Sequence, residues 1–304
     1  RDVAPSRGLG DVYKRQGYIR SDKQKEDLND LVLSELHLIA NNSYQGFEAQ
    51  KLHLLFQATY YLNSGNYKSA IRYYQELINL FNDNQHLILN PPIYYLSAIQ
   101  GILDSLCIAG LYHETPFFLS KLEELTQNEY STEFILHLKT LIYIYKSNSL
   151  LQAGNFEQAL ELRDKQENEL LKKVTSLGLE SQLRLYLSFA VLGMYTKDYV
   201  QARKYMKKIF SLGKLFCAFP SYKIARLVNL LLQAELGNYD FFENEIISIK
   251  RNIRFEKQTY ITEKLIFKFI QGYPLPSYEK ARNKRWLQYQ KDIQKIEQDK
   301  YERQ

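Results

Sequence analysis

Between Leu52 and Ile78 the apolar residues form two runs with helical spacing. Leu52, Leu55, Phe56, Thr59 and Leu62 recur every three or four residues, and so do Tyr67, Ala70, Ile71, Tyr74, Leu77 and Ile78. Each set falls on one side of a 3.6-residue helix, which predicts two amphipathic helices. Ser64-Gly65-Asn66 separates them. Glycine enters the left-handed conformation that ends a helix without steric cost. Asparagine caps the next helix by accepting from an early backbone N–H. Ala58 and Ala70 are small where two paired helices would approach to about 8–10 Å.

The segment SGNYKSAIRYYQEL, from Ser64, returns four times in altered form. The copies are AGLYHETPFFLSKL from Ala109, AGNFEQALELRDKQ from Ala153, TKDYVQARKYMKKI from Thr196 and LGNYDFFENEIISI from Leu236. The turn positions are Gly65, Gly110, Gly154, Lys197 and Gly237, at intervals of 45, 44, 43 and 40 residues. Self-similarity at such a period is the mark of a solenoid. Further helices are predicted over 93–108, 115–126, 131–152, 155–174, 181–196, 198–212, 219–236, 238–252, 259–271 and 277–301, with another over 21–42. Thr115-Pro116 reads as a cap followed by a first helical position. No stretch alternates as a strand would.

The first copy resembles a tetratricopeptide repeat, with Ala58, Tyr61, Gly65, Tyr67, Ala70 and Tyr74 in the motif's small and aromatic positions. The third copy keeps Gly154, Phe156 and Ala159. The fourth keeps Ala190, Tyr199 and Ala202 but carries Lys197 in place of glycine. The second and fifth depart further, with Thr115 and Phe242 at the alanine position, and the period exceeds the family's usual ~34 residues. The resemblance implies an all-α, right-handed superhelical solenoid of about five antiparallel helix pairs. The repeats would span 48–252, with capping helices at both ends, an N-terminal helix in 17–47 and two more in 253–304.

Residues 6–16, SRGLGDVYKRQ, lack apolar periodicity and resemble the translation of a sequencing-library adapter. Residues 1–16 are therefore expected to be a non-native tail, with the gene's own product starting near Gly17 and its true beginning missing. A segment of that kind is kept out of fold reasoning.

Composition changes little in this picture. The 304 residues are 45% hydrophobic and 24% charged, and the 13 glycines and 7 prolines are few, as suits helices. The net charge of +6 sits largely in the two ends, about +2 in 1–16 and +3 in 279–304. The body is nearly neutral and lacks the basic face of a nucleic-acid binder. Cys107 and Cys217 lie in apolar surroundings, DSLCIAG and KLFCAFP, and are expected to be free buried thiols. No apolar run reaches the ~18–20 residues of a membrane span. With the unpaired cysteines, this leads to an expected cytoplasmic location.

Candidate chemistry is sparse. No two of His37, His53, His86, His113 and His137 are three or four residues apart, so no helix offers a histidine pair to a metal. There is no phosphate loop and no nucleophile elbow. No catalytic residue, cofactor or metal is expected, and the chain reads as a non-enzyme. What remains is the groove implied by the resemblance, lined by the first helix of each pair. Carried over, the groove positions include Asn63, Gln100, Asp104, Asn148, Gln152, Arg184, Tyr195 and Glu235, among the apolar Leu52, Leu55, Leu141, Ile144, Leu151, Leu187 and Leu231. Such a lining suits an amphipathic or extended peptide. The expected function is a protein- or peptide-binding adaptor or scaffold. The alternative is the peptide-sensing half of a larger regulator whose effector domain precedes Gly17. The bland alternative for the groove is that these residues simply pack together. In the last helix, Trp286, Tyr289, Ile293 and Ile296 form a narrow seam, expected to close the solenoid with Trp286 buried or to support weak self-association.

Overall fold

The computed structural model describes residues 46–88, 90–213, 219–256 and 260–299. The tail over 1–16 and the helix expected over 21–42 lie outside the described residues. Among the described residues there are twelve α-helices and no strand. They are α1 Phe47–Asn63, α2 Tyr67–Asp83, α3 Ile93–Ala109, α4 Thr115–Leu125, α5 Thr132–Gln152 and α6 Phe156–Lys172. They continue with α7 Leu179–Tyr195, α8 Tyr199–Ser211, α9 Pro220–Glu235, α10 Asp240–Glu256, α11 Ile261–Ile270 and α12 Glu279–Gln298. The expected boundaries agree to within a few residues.

Packing follows chain order. From α1 to α12 nearly every helix touches the next, and each odd-numbered helix up to α9 also touches the next odd-numbered one. The odd helices thus form a continuous row. The sequence shows why. In α5, FILHLKTLIYIY, apolar side chains occur on every side, the pattern of a helix buried all round. Phe134, Leu138, Leu141, Ile142 and Tyr145 enter one core with α1–α4, while Leu136, Tyr143 and Ile144 enter a second with α6–α9. Even helices bury one stripe. In α8 it is Ala202, Tyr205, Met206 and Ile209, with lysines and arginine elsewhere.

The repeat register holds in all five copies. Gly65, Gly110, Gly154 and Gly237 have φ of 73–75°, and Lys197 has φ 60°. In the four glycine turns the residue after glycine donates its N–H five residues back, as Asn66 does to the Tyr61 carbonyl at 2.9 Å. Asn66 and Asp198 accept from the amides of Ser69 and Gln201 and cap α2 and α8. Seven residues before each turn stand Ala58, Leu103, Ser147, Ala190 and Leu230, all fully buried. Five after it stand Ala70, Thr115, Ala159, Ala202 and Phe242, all buried too, so the two departing copies keep the contact with larger side chains. Thr115 is not the cap that its sequence suggested. It is the first residue of α4, and its hydroxyl donates to the Tyr112 carbonyl at 2.8 Å and lies 3.1 Å from Ser149 Oγ.

The last helix corrects an expectation. Trp286 is 53% exposed, whereas Tyr289 is buried. Tyr289, Ile293 and Ile296 stay on the less exposed face of α12, and only the first position of the expected seam is displaced. Tyr289 meets Phe269 edge-on at 5.7 Å, Arg285 donates to the Gly272 carbonyl at 2.6 Å, and Asp292 pairs with Lys268 at 3.2 Å. Arg285 thereby takes the position that the apolar spacing assigned to Trp286.

Two substitutions check this packing. A Cβ on Gly101 in α3 would lie 2.2 Å from the Tyr74 ring of α2. Gly101→Ala should therefore destabilise by about 1–3 kcal/mol in urea unfolding, although alanine favours helix by about 0.5–1 kcal/mol. Unchanged stability would mean that Tyr74 does not rest on Gly101. Lys197→Gly should stabilise by about 0.5–1 kcal/mol, because it removes the left-handed penalty on a side-chain-bearing residue. A loss of stability would contradict the left-handed turn at Lys197.

Candidate functional site

Three odd helices bring charged and polar side chains together at the middle of the row. Tyr145 of α5 is almost completely buried, and its hydroxyl donates to Asp104 Oδ1 of α3 at 2.6 Å. Arg184 Nη2 of α7 donates to the same carboxylate oxygen at 2.9 Å and lies 3.3 Å from the Tyr145 hydroxyl. The guanidinium also sits 5.7 Å from the centre of the Tyr145 ring. The Tyr145 hydroxyl reaches within 3.5 Å of the Gln100 carbonyl. Asp104 and Arg184 keep roughly a quarter of their side chains accessible, and each uses one atom of its polar head here. Asp104 Oδ2 and the Arg184 Nε and Nη1 groups form no hydrogen bond within the described residues.

The electrostatics follow from this geometry. Asp104 beside Arg184, with Tyr145 next, holds the guanidinium well above its ordinary pKa, so its charge is permanent. Burial and the Asp104 charge push the Tyr145 hydroxyl well above the tyrosine range. His137, on α5, lies with Nδ1 3.4 Å from Ser181 Oγ of α7; burial and the nearby Arg184 lower its pKa. Burial and Asp104 push the Cys107 thiol up to about 12. None of these groups is arranged as a nucleophile with a base. Among the described residues no group of three or more histidine, cysteine or acidic side chains is placed to hold a metal.

Of the groove positions, Gln100, Asp104 and Arg184 are brought together. The others are spread along the row. Asn63 ends α1 half-buried. Asn148 is half-buried on α5, and Gln152 is exposed at its end. Tyr195 stacks on Phe156 of α6 at 5.8 Å. Glu235 accepts from Tyr199 at 3.1 Å and from Tyr273 at 3.5 Å. Leu141, Ile144 and Leu151 do not line a groove. They are buried, because α5 has neighbours on both sides. Exposed apolar residues on the row, within the described residues, are Leu52 and Phe56 of α1, Ile93 of α3, Leu179 and Tyr195 of α7 and Ile224 of α9.

Tyr145, His137 and Ser181 were not singled out by sequence. The signal was a stagger. Asp104 lies six residues before its turn, Tyr145 nine and Arg184 thirteen. The cluster thus climbs about one helical turn per pair, which spacing within one copy does not reveal.

Compared with known proteins, the chain matches no family model, no curated protein and no solved structure. Among the described residues no helix is long and apolar enough to cross a membrane.

The raised thiol yields a measurable consequence. Cys107 in the folded chain should react with iodoacetamide far more slowly at pH 8 than after unfolding in urea, because only the thiolate attacks. A folded pKa above the unfolded value of about 8.5 also means that this group's stabilising contribution is present below pH 8.5 and is lost as pH rises toward 12. Cys107 is half-buried rather than fully buried as expected, and equal alkylation rates in the folded and unfolded chain would contradict its raised thiol. Mass spectrometry of the Cys107 peptide separates it from Cys217.

Proposed function

We propose that this chain is a non-enzymatic binding protein that receives an extended peptide or protein segment along its odd-numbered helices. The observation that carries the reading is the Asp104–Tyr145–Arg184 cluster. It spans three successive odd helices and keeps an acceptor and several donors uncommitted within the described residues. An extended peptide presents alternating backbone N–H and C=O groups, which an acceptor and donor held in fixed geometry would satisfy. Asn148, Gln100 and the exposed Leu52 and Ile224 supply further polar and apolar contacts on either side. The chain is near neutral in its body, which suits a mixed peptide rather than a polyanion.

The finer architecture belongs to the same proposal. Loops of three residues join the helices of the first, third, and fourth pairs. The odd row with even helices outside it supports a tetratricopeptide-like, right-handed superhelix of antiparallel pairs.

Selection from a displayed random-peptide library against the whole chain tests the reading. Enriched peptides should lose at least about tenfold in affinity on Asn148→Ala and on Leu52→Asp. They should be indifferent to Phe241→Ala, on the even helices. Failure to enrich any sequence, or equal affinity for all variants, would overturn the proposal. Circular dichroism of each variant confirms that the fold is retained.

A further inference from the structure

A second, differently built site lies where α9 meets its two even-numbered neighbours. Helices α8, α9 and α10 enclose an open groove of about 390 Å³, within the range of small-ligand sites. One wall carries Arg203 and Lys207, one turn apart on α8 and both exposed; within the described residues neither forms an ion pair. Among the described residues no acidic side chain lines the groove, so the two cations set the sign of its field.

The floor is a ladder of carboxamides. Asn238 Nδ2 donates to Gln233 Oε1 at 2.6 Å, and Gln233 Nε2 donates to Asn229 Oδ1 at 3.2 Å. Asn229 is buried, and its amide nitrogen finds no protein acceptor among the described residues. Asn238 is exposed with its carboxamide held by Gln233, and its oxygen makes no hydrogen bond within the described residues, which leaves it and the second N–H as a paired acceptor and donor. The apolar walls include two partly exposed rings, Phe210 and Phe241. Phe210 is braced edge-on by Tyr222 at 6.0 Å. On α9, Asn229 and Gln233 lie on the side opposite Leu227 and Leu231, so this groove and the odd row are separate surfaces.

We propose that this groove binds a small organic anion carrying a flat ring, of the nucleoside monophosphate class. Three features converge on that chemistry. Two adjacent cations match a phosphate dianion better than a single carboxylate. Exposed phenyl rings offer stacking surface to a base. A pre-oriented asparagine carboxamide presents the donor–acceptor pair that reads a base edge. A lone phosphate would use only the first feature, and an uncharged aromatic only the second and third.

Isothermal titration of the whole chain with adenosine 5′-monophosphate, guanosine 5′-monophosphate, adenosine and inorganic phosphate tests this directly. Saturable binding of a monophosphate is expected, with adenosine and phosphate each at least about tenfold weaker. Arg203→Gln and Lys207→Gln should each weaken the monophosphate at least about tenfold without lowering the melting temperature, since both side chains are exposed. Asn238→Ala should reduce the difference between the two purines while leaving phosphate binding unchanged. Phosphate bound as tightly as the monophosphate would reduce the groove to an anion patch and overturn the proposal. No saturable binding, or binding that survives both cation substitutions, would overturn it as well. Peptides selected for the odd row should not compete with the monophosphate, so failure of one site is distinguishable from failure of the other.

Discussion

Helix α5 cannot be solvated over its middle turns, and the rest of the architecture depends on this. From Phe134 to Tyr145 its side chains feed two cores, one shared with α1–α4 and one with α6–α9. A helix that is apolar on all sides must be flanked on all sides. The two halves of the chain are therefore joined through one two-sided element rather than through a linker. Helix α9 repeats the arrangement further on, with Ala225 and Leu232 in the second core and Leu230 and Ala234 in a third with α11. Even helices, with one apolar stripe, are left to the outside. The division between a two-sided row and a one-sided row is thus written in the residue pattern and needs no further instruction.

What sequence could show is what local physics repeats. The left-handed turn recurs because a residue in that conformation ends one helix and turns the chain back within a few residues, so Lys197 adopts the glycine conformation despite its Cβ. The buried positions on either side of each turn recur because two helix axes must come close there. Thr115 and Phe242 break the motif as letters, yet occupy the same buried place. What sequence could not show is the offset between successive odd helices. That offset depends on how side chains of different repeats interlock, and it alone decides that Asp104, Tyr145 and Arg184 meet. The Trp286 expectation failed for a related reason. Apolar spacing gave the seam to tryptophan, but a backbone carbonyl at Gly272 had to be satisfied, and Arg285 could reach it.

The Asp104–Arg184 pair adds little to stability by its nature. Desolvating both charges offsets most of their attraction, and an apolar pair in the same place would hold the row as well. Its effect is positional. The shared Asp104 oxygen locks α3 to α7 across α5, through a tyrosine hydroxyl that burial keeps protonated. A charged tie of this kind fixes the relative height of three helices, which apolar packing alone tolerates in several registers. The same tie leaves its spare oxygen and nitrogens at a defined height on the row.

The two surfaces therefore differ in kind. Around Asp104 and Arg184 opposite charges cancel, and a ligand on the proposed row would gain from hydrogen bonds whose directions are set by the tie. Between α8 and α10 the charges add, and Arg203 and Lys207 reach into solvent on flexible stems. Screening follows from that contrast. Interactions of exposed cations fade as salt rises toward a Debye length of about 8 Å, whereas short, partly buried hydrogen bonds do not. Binding at the groove should weaken steeply with ionic strength and binding on the odd row should not, and that difference assigns a ligand to its surface without any substitution.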